Sequence, residues 1–575
     1  MPEHPRLGML WGDFPWDDRA RKMGKLLSMG AVGRTTTRAL SACGRVVPFI
    51  RPPSDAPQRA HRAALEAFLR SIDVLFADVY AASGPALELR HELGLHCPAV
   101  LFAGGAMPKG ADAMLFPWQH LLRAGDGVWF TSRADQAIWR RLVTRSALHE
   151  WVVPLGVDET LFRLRDPSER GAVRRRHGLP IATPLLLAVG RINVQKNLHS
   201  VLHLHAAVRR QVPDAHLCFV GEEDDIGLHE FGVLNTGYGA WLRDQAAELG
   251  IADAVTFAGP LFGNDLARLY AASDVLVSAS VYHRENFGLA PAEAQACGVP
   301  VVCSAWNGFK DVVRDGETGF LMDAVLTRHG VRVDWASGAQ RVVTLLRDPP
   351  RRAAMGHRAA AWASERFSVA ALSRALEAVV TDATRPPAGR PRKGMPTPDI
   401  ADDTRTAAYA TSGFARRYEA HKRACGWYGA TPESLRLGTP PMFQGKDYRL
   451  YLHLMGPLAS GMAGDRAPGG IQPPWVPYFA SPVLLDDARQ LIESRDPIWP
   501  HRRFCRPLQW AVARRVDGRA AVRDVIAAVA AKQPEATPAA VGEVLQQLHA
   551  DGFVLFQRDG CDGGPAKEAA ADQPR

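Results

Sequence analysis

The chain has 575 residues, 47% hydrophobic and 22% charged; at roughly 100–200 residues per core this excludes a single small module, and the near-average composition excludes global disorder or a coiled-coil rod. Its 69 basic against 60 acidic side chains leave a formal charge of +9, which favours anionic partners without naming one. No apolar run approaches the ~18 residues of a membrane-spanning helix, so no transmembrane segment is expected.

The N-terminus, Met1-Pro-Glu-His-Pro-Arg-Leu-Gly8, does not read as a secretory signal. Up to about residue 160, short apolar runs alternate with helical stretches, the pattern of a parallel α/β sheet. The strands are expected at Leu7–Leu10, Val46–Ile50, Val74–Phe76, Ala99–Phe102, Val128–Thr131 and Glu150–Val153, with helices at Ala60–Ser71 and Arg133–Leu142. A second series follows, with strands at Leu185–Val189, Leu217–Val220, Val255–Ala258, Val275–Ser278 and Val301–Cys303 and helices near 197–211, 240–249, 264–272 and 291–297. Two such units in tandem make the cleft between them the natural ligand site. A long helical pattern over Ala353–Val380 is interrupted at Phe367-Ser368, and 381–405 is proline-rich and reads as an extended linker. Residues 406–505 are aromatic and rich in proline and glycine, without sustained periodicity, and are expected to be irregular. Over 506–560, apolar spacing predicts three short helices and a β-like run, a winged-helix-sized module, followed by a disordered tail at 561–575. The eight cysteines, at 43, 97, 218, 297, 303, 425, 505 and 561, form no zinc or disulfide pattern and are expected to be thiols in the cytoplasm.

The chemistry concentrates in two loops. In Glu285-Asn-Phe-Gly-Leu-Ala-Pro-Ala-Glu293, Pro291 suits the first turn of a helix. The helix mouth, with Asn286, Phe287, Gly288 and Leu289, offers free amides and a partial positive charge to a phosphate. Glu293 is expected in the first turn and Glu285 on the opposite lip, two acceptors for sugar hydroxyls. The second loop, Gly190-Arg191-Ile-Asn-Val-Gln-Lys196, follows a strand and supplies an arginine fork and a lysine point charge for a diphosphate.

Together, Gly190-Arg191…Lys196 and Glu285-x7-Glu293 resemble the donor-site signature of retaining GT-B glycosyltransferases of family 4, which use nucleotide sugars. Pro154-Leu-Gly-Val-Asp158, Gly221-Glu222, Tyr270-Ala-Ala-Ser-Asp274, Asn307-Gly-Phe-Lys-Asp311, Asp315-Gly-Glu-Thr-Gly319 and Glu365-Arg-Phe-Ser368 are similar to the same family. The resemblance implies an α/β fold of two Rossmann-like lobes facing a cleft, 1–160 on the acceptor side and 161–380 on the donor side. It implies that Arg191 and Lys196 hold the diphosphate, that Glu285 contacts the donor sugar, and that Gly190, Glu222, Asn286, Phe287, Gly288, Leu289 and Glu293 complete the nucleotide site. The reaction would move a sugar from a nucleoside-diphosphate donor with retention of configuration, with no metal and no cofactor beyond that co-substrate. On the acceptor side stand Gly12, Asp13, Asp78 and Gly104. Gly104 falls where relatives usually carry a histidine, which leaves open a scaffold that binds nucleotide sugar without turnover. Asn197 and Asn307 replace frequent glycines, which asparagine's access to left-handed backbone allows.

The module at 506–560 resembles winged-helix domains of the PqqD-like type, which add a bound peptide to a sheet edge. The acceptor would then be a small molecule or a ribosomally made peptide, although a purely structural module stays open. A DNA-binding regulator is a further alternative, resting on the winged-helix pattern and the charge, and no nucleic-acid partner is expected.

Overall fold

A computed structural model describes residues 4–10, 27–53, 56–78, 83–104, 121–123, 125–142, 148–224, 237–385, 456–462, 471–499 and 501–557. The N-terminal lobe is built on β1 (Arg6–Leu10), β2 (Arg45–Pro48), β3 (Val74–Asp78), β4 (Ala99–Phe102), β5 (Gly127–Phe130) and β6 (His149–Val152). All pair in parallel in the order β2-β1-β3-β4-β5-β6. Central strands such as Val74-Leu-Phe-Ala-Asp78 are buried throughout, as a sheet covered by helices on both faces requires.

The second lobe repeats the design with β7 (Leu185–Val189), β8 (His216–Val220), β9 (Val255–Phe257), β10 (Val275–Ser278), β11 (Val301–Ser304) and β12 (Gly319–Met322). They form a parallel six-stranded sheet in the order β12-β11-β10-β7-β8-β9. The order reverses beside β7, so the loop after that strand opens at the switch point where such sheets bind ligands. Asp274 braces this sheet. Its Oδ2 accepts from the Leu185 N–H at 2.8 Å and from Arg174 Nη2 at 2.9 Å.

The chain passes between the lobes twice, side by side. Val157 and Ser368 form a parallel bridge there, and the Val157 N–H donates to the Phe367 carbonyl at 2.6 Å. The helical pattern expected over 353–380 is two helices, Pro349–Phe367 and Val369–Thr384, with Ser368 capping the second by accepting from the Ala371 N–H at 3.1 Å. A lobe boundary expected at 380 lies inside that second helix, which packs on the N-terminal lobe: Leu372 and Leu376 share a buried cluster with Val32, Ala39 and Leu40 of helix Leu27–Cys43.

After β12 the second lobe grows a hairpin, β13 (Ala324–Thr327) and β14 (Gly330–Val333), to which β15 (Gly461–Met462) adds in parallel. Residues 476–504, expected to be irregular, form strands instead. β16 (Val476–Phe479) pairs antiparallel with β20 (Val554–Gln557), while β17 (Val483–Asp486), β18 (Leu491–Ser494) and β19 (His501–Phe504) make a separate antiparallel sheet. Between β19 and β20 come helices Pro507–Ala513, Val522–Ala530 and Pro538–Ala550, so the C-terminal module starts well before 506. It packs against the second lobe: Tyr478 Oη donates to Asp334 Oδ1 at 2.6 Å, and Trp335 Nε1 donates to the Ala480 carbonyl at 3.0 Å.

The six cysteines within the described residues are free; 425 and 561 lie outside them, as do 386–405 of the linker and the tail at 561–575. Among the described residues no helix is long and apolar enough to cross a membrane.

Candidate active site

The two loops singled out in the sequence meet at the mouth of the second sheet. Strand β7 ends at Val189, and in the loop that begins at Gly190 the Ile192 N–H donates to the Glu222 carbonyl at 2.8 Å, which ties the first loop to the end of β8. A single 3₁₀ turn, Val194–Lys196, then leads into helix Leu198–Arg209 through Asn197, whose backbone is left-handed (φ 52°). Asn197 Nδ2 donates to the Ala279 carbonyl at 2.9 Å and its Oδ1 accepts from Ser200 Oγ at 2.9 Å. Held this way, Lys196 donates from Nζ to Glu285 Oε2 at 2.5 Å, and Ser280 Oγ donates to the same oxygen at 3.0 Å. The two side chains are only 22% and 15% exposed, so their charges act in a partly desolvated space, where Coulomb terms exceed those at an open surface.

The second loop runs from Glu285 into helix Leu289–Ala296, which opens two residues before the expected 291. Gly288 is left-handed (φ 103°), and a Cβ there would stand 2.6 Å from the Phe309 ring, so a side chain is excluded on both grounds. The amides of Leu289 and Ala290 belong to the helix's first turn and have no intrahelical acceptor, while Pro291 brings no N–H. Phe287 is buried edge-on against Phe367, with ring centroids 5.5 Å apart. Asn286 reaches the other lobe: its Nδ2 donates to Thr131 Oγ1 at 2.6 Å, and the Thr131 hydroxyl lies 3.2 Å from the Asn286 carbonyl.

The other expected site residues make contacts of their own. Glu293 lies beyond the first helical turn, and its Oε2 accepts from Tyr270 Oη at 3.1 Å. Burial pushes its carboxyl up to about 8, against the opposing pull of the Tyr270 hydrogen bond. Arg191, expected as a fork for the diphosphate, donates to Asp224 Oδ2 at 2.8 Å and to Gln195 Oε1 at 2.9 Å. Asp224 was not singled out in the sequence; the signal was its position two residues beyond Glu222. The Glu222 side chain is exposed. Asp78 ends β3, buried, accepting from Ser83 Oγ at 3.0 Å. Gly104 follows β4, and a Cβ there would meet the Phe102 ring at 2.3 Å. Gly12 and Asp13 lie outside the described residues.

Behind the Glu285–Leu289 loop the lobes are sewn together. Asn307, left-handed at φ 43°, accepts from Ser132 Oγ at 2.8 Å and donates to Asp135 Oδ1 and to the His283 carbonyl, each at 3.2 Å. The Arg133 N–H donates to Asp311 Oδ2 at 2.8 Å. Burial pushes the Asp135 carboxyl up to about 8, despite hydrogen bonds from Asn307 and Ser132. An acid whose folded value lies above its unfolded value (~3.9) costs stability as pH rises from there to about 8. Asp135→Asn keeps the acceptor without the titration. Its unfolding free energy is therefore expected to gain on the wild type progressively between pH 5 and pH 8, at up to ~1.4 kcal/mol per pH unit, and its melting temperature to rise with it. Parallel melting curves across that range would remove the buried charge from the account.

Comparison with known proteins follows this geometry. A D-inositol 3-phosphate glycosyltransferase of Stackebrandtia nassauensis is 39% identical over 206 residues, covering 35% of this chain and 42% of that protein. One from Thermomonospora curvata is 42% identical over 213 residues, covering 35% and 44%. The chain thus spans less than half the length of these curated relatives. Among solved structures, Anabaena Alr3699/HepE in complex with UDP superposes with a TM-score of 0.50 at 19% identity, covering 65% of this chain and 99% of that one. The two parallel sheets with their helices are GT-B Rossmann-like lobes. Residues 169–362, which carry Arg191, Lys196, Glu285 and Glu293, match the family model described as Glycosyl transferases group 1.

Proposed function

We propose that this chain is a retaining glycosyltransferase of the family 4 type, moving a sugar from a nucleoside-diphosphate donor to an acceptor. The observation that carries the proposal is the Lys196–Glu285 contact at 2.5 Å beside the mouth of helix Leu289–Ala296. A donor diphosphate would take the Lys196 ammonium from Glu285 and lie against the first amides of that helix. The freed Glu285 carboxylate would accept from a hydroxyl of the donor sugar. As the bond from the anomeric carbon to the phosphate oxygen breaks, its electron pair passes to the diphosphate, where Lys196 and the helix mouth stabilise the growing charge more than they stabilise the ground state. The acceptor oxygen forms the new bond on the same face and yields its proton to the departing phosphate. Arg191 joins the diphosphate on release from Asp224, and Glu293 receives the nucleotide ribose.

A ribosomal peptide is the acceptor class that the C-terminal module favours. Among the described residues β19 pairs only with β18, and its Phe504 is 73% exposed, so an extended peptide has a sheet edge to join. The small phosphorylated acceptor named for the inositol-phosphate relatives is the competing class.

One experiment tests the donor assignment: melting the full chain with UDP-, GDP- and ADP-sugars in turn, then following nucleoside-diphosphate release with candidate acceptors. One nucleotide class is expected to stabilise the fold by ~2.7 kcal/mol at a hundred times its Kd. Stabilisation without release in the presence of any acceptor upholds the non-catalytic scaffold, and no stabilisation by any of the three removes the donor site.

A further inference from the structure

The C-terminal module reaches the donor site through one buried acid. Asp496 follows β18 and is 5% exposed. Its Oδ1 accepts from the Ile498 and Trp499 amides at 2.8 and 2.9 Å, which shapes the turn ahead of β19. Its Oδ2 faces the donor lobe: Arg332 Nη1 of β14 is 3.6 Å away, and His199 Nε2 of helix Leu198–Arg209 is 3.9 Å away. Burial opposes ionisation, yet Arg332 and His199 hold the carboxyl well below the usual carboxylate range. Arg332 is itself clamped, with Nε donating to the Gly552 carbonyl at 2.9 Å. His199 is clamped from the other side, where the Tyr238 hydroxyl lies 3.0 Å from Nδ1 and accepts from the His199 N–H at 3.2 Å.

His199 stands in the first turn of its helix, three residues beyond Lys196 and two beyond the left-handed Asn197. Asn197 bonds the Ala279 carbonyl, next to the Ser280 whose hydroxyl holds Glu285. A shift of this first turn therefore moves both members of the Lys196–Glu285 pair. Buried charged groups have few alternative arrangements, because leaving one unpaired costs several kcal/mol, so this contact defines one position of the turn.

We propose that Asp496 is a positioning residue for the donor site: through it the appended module sets the first turn of helix Leu198–Arg209 and hence the placement of Lys196. The inference rests on the donor assignment above for its functional consequence. It makes the module a working part of the donor lobe, so a ligand that moves the turn before β19 alters nucleotide affinity.

The test uses the full chain with Asp496→Asn, which keeps an oxygen for the two amides and removes the charge facing Arg332 and His199. Tyr478→Phe serves as a control, loosening the same junction at Asp334. Two quantities are read: hydrogen exchange of the peptide covering 194–203 without ligand, and the Kd for UDP, GDP and ADP. Asp496→Asn is expected to speed exchange there by at least tenfold and to weaken nucleotide binding by a similar factor, while Tyr478→Phe leaves both within twofold. If Asp496→Asn does not fold, His199→Ala, which removes the helix side of the contact, is expected to give the same pair of changes. Unchanged exchange at 194–203 overturns the inference, as does faster exchange with unaltered nucleotide affinity, or equal effects from Tyr478→Phe. A wild-type chain that binds none of the three nucleotides overturns the donor assignment instead, and with it the role of Asp496 there.

Discussion

Lys196→Ala is expected to lower the rate of glycosyl transfer by ~10²–10³-fold, the range seen when a preorganised charge partner of a transition state is removed. Lys196 is the cation held at 2.5 Å from Glu285, on a backbone fixed by a 3₁₀ turn and a left-handed asparagine, so it already stands in this loop before a substrate arrives. Its loss leaves Glu285 with the Ser280 hydroxyl and puts a bare carboxylate beside an arriving diphosphate. The variant should therefore bind donor less well and, at saturation, still turn over slowly; a fall in kcat larger than the rise in KM marks charge that develops in the transition state. Lys196→Arg should recover little, since a planar fork does not reproduce a point charge at this distance. Steady-state kinetics on the three proteins decide the matter, and a kcat at the wild-type level in Lys196→Ala would take this residue out of catalysis.

Gly308→Ala is expected to disable nucleotide binding although residue 308 has no charge and no polar side chain. An added Cβ would stand 2.3 Å from the Asn286 carbonyl oxygen and 2.5 Å from the Phe287 Cα. Both are backbone atoms, which cannot swing aside as a side chain does. The φ of Gly308 is −63°, comfortable for alanine, so the effect is purely steric. Relief requires the 286–287 backbone to move away from Thr131 and from the helix mouth. We expect a loss of ~1–3 kcal/mol in stability, together with at least a tenfold weaker nucleotide Kd. Calorimetric titration beside thermal melting separates the two, and wild-type affinity in this variant would show that the loop is not pinned by its neighbour.

The elements that sequence made legible are those whose pattern is local. Buried parallel strands read as continuous apolar runs, so β7, β10 and β4 were expected where they stand, and Ser368 marked the break between two helices because a capping residue interrupts a periodic pattern. The left-handed Asn197 and Asn307 were foreseeable for a similar reason. Orientation was less accessible. Glu293 was expected to serve the helix mouth, but whether it meets a ligand or Tyr270 depends on a residue 23 positions away. Arg191's partner Asp224 is 33 positions off, and nothing between them signals the meeting. Strands β16 to β19 were hidden because they are short and only half-buried on their own; their apolar faces are completed by the three following helices and by the second lobe, so no periodicity announces them.

The doubled passage at Val157 and Ser368 has a mechanical consequence. Two neighbouring spans joined by a bridge resist sliding and twisting, which leaves rotation about the line through them as the soft motion. Thr131 and Asn286 join the two lobes across the seam, so any swing apart must first break their contact. Widening of the gap between the lobes and loosening of the loop that runs from Glu285 to Leu289 are then one event rather than two in succession.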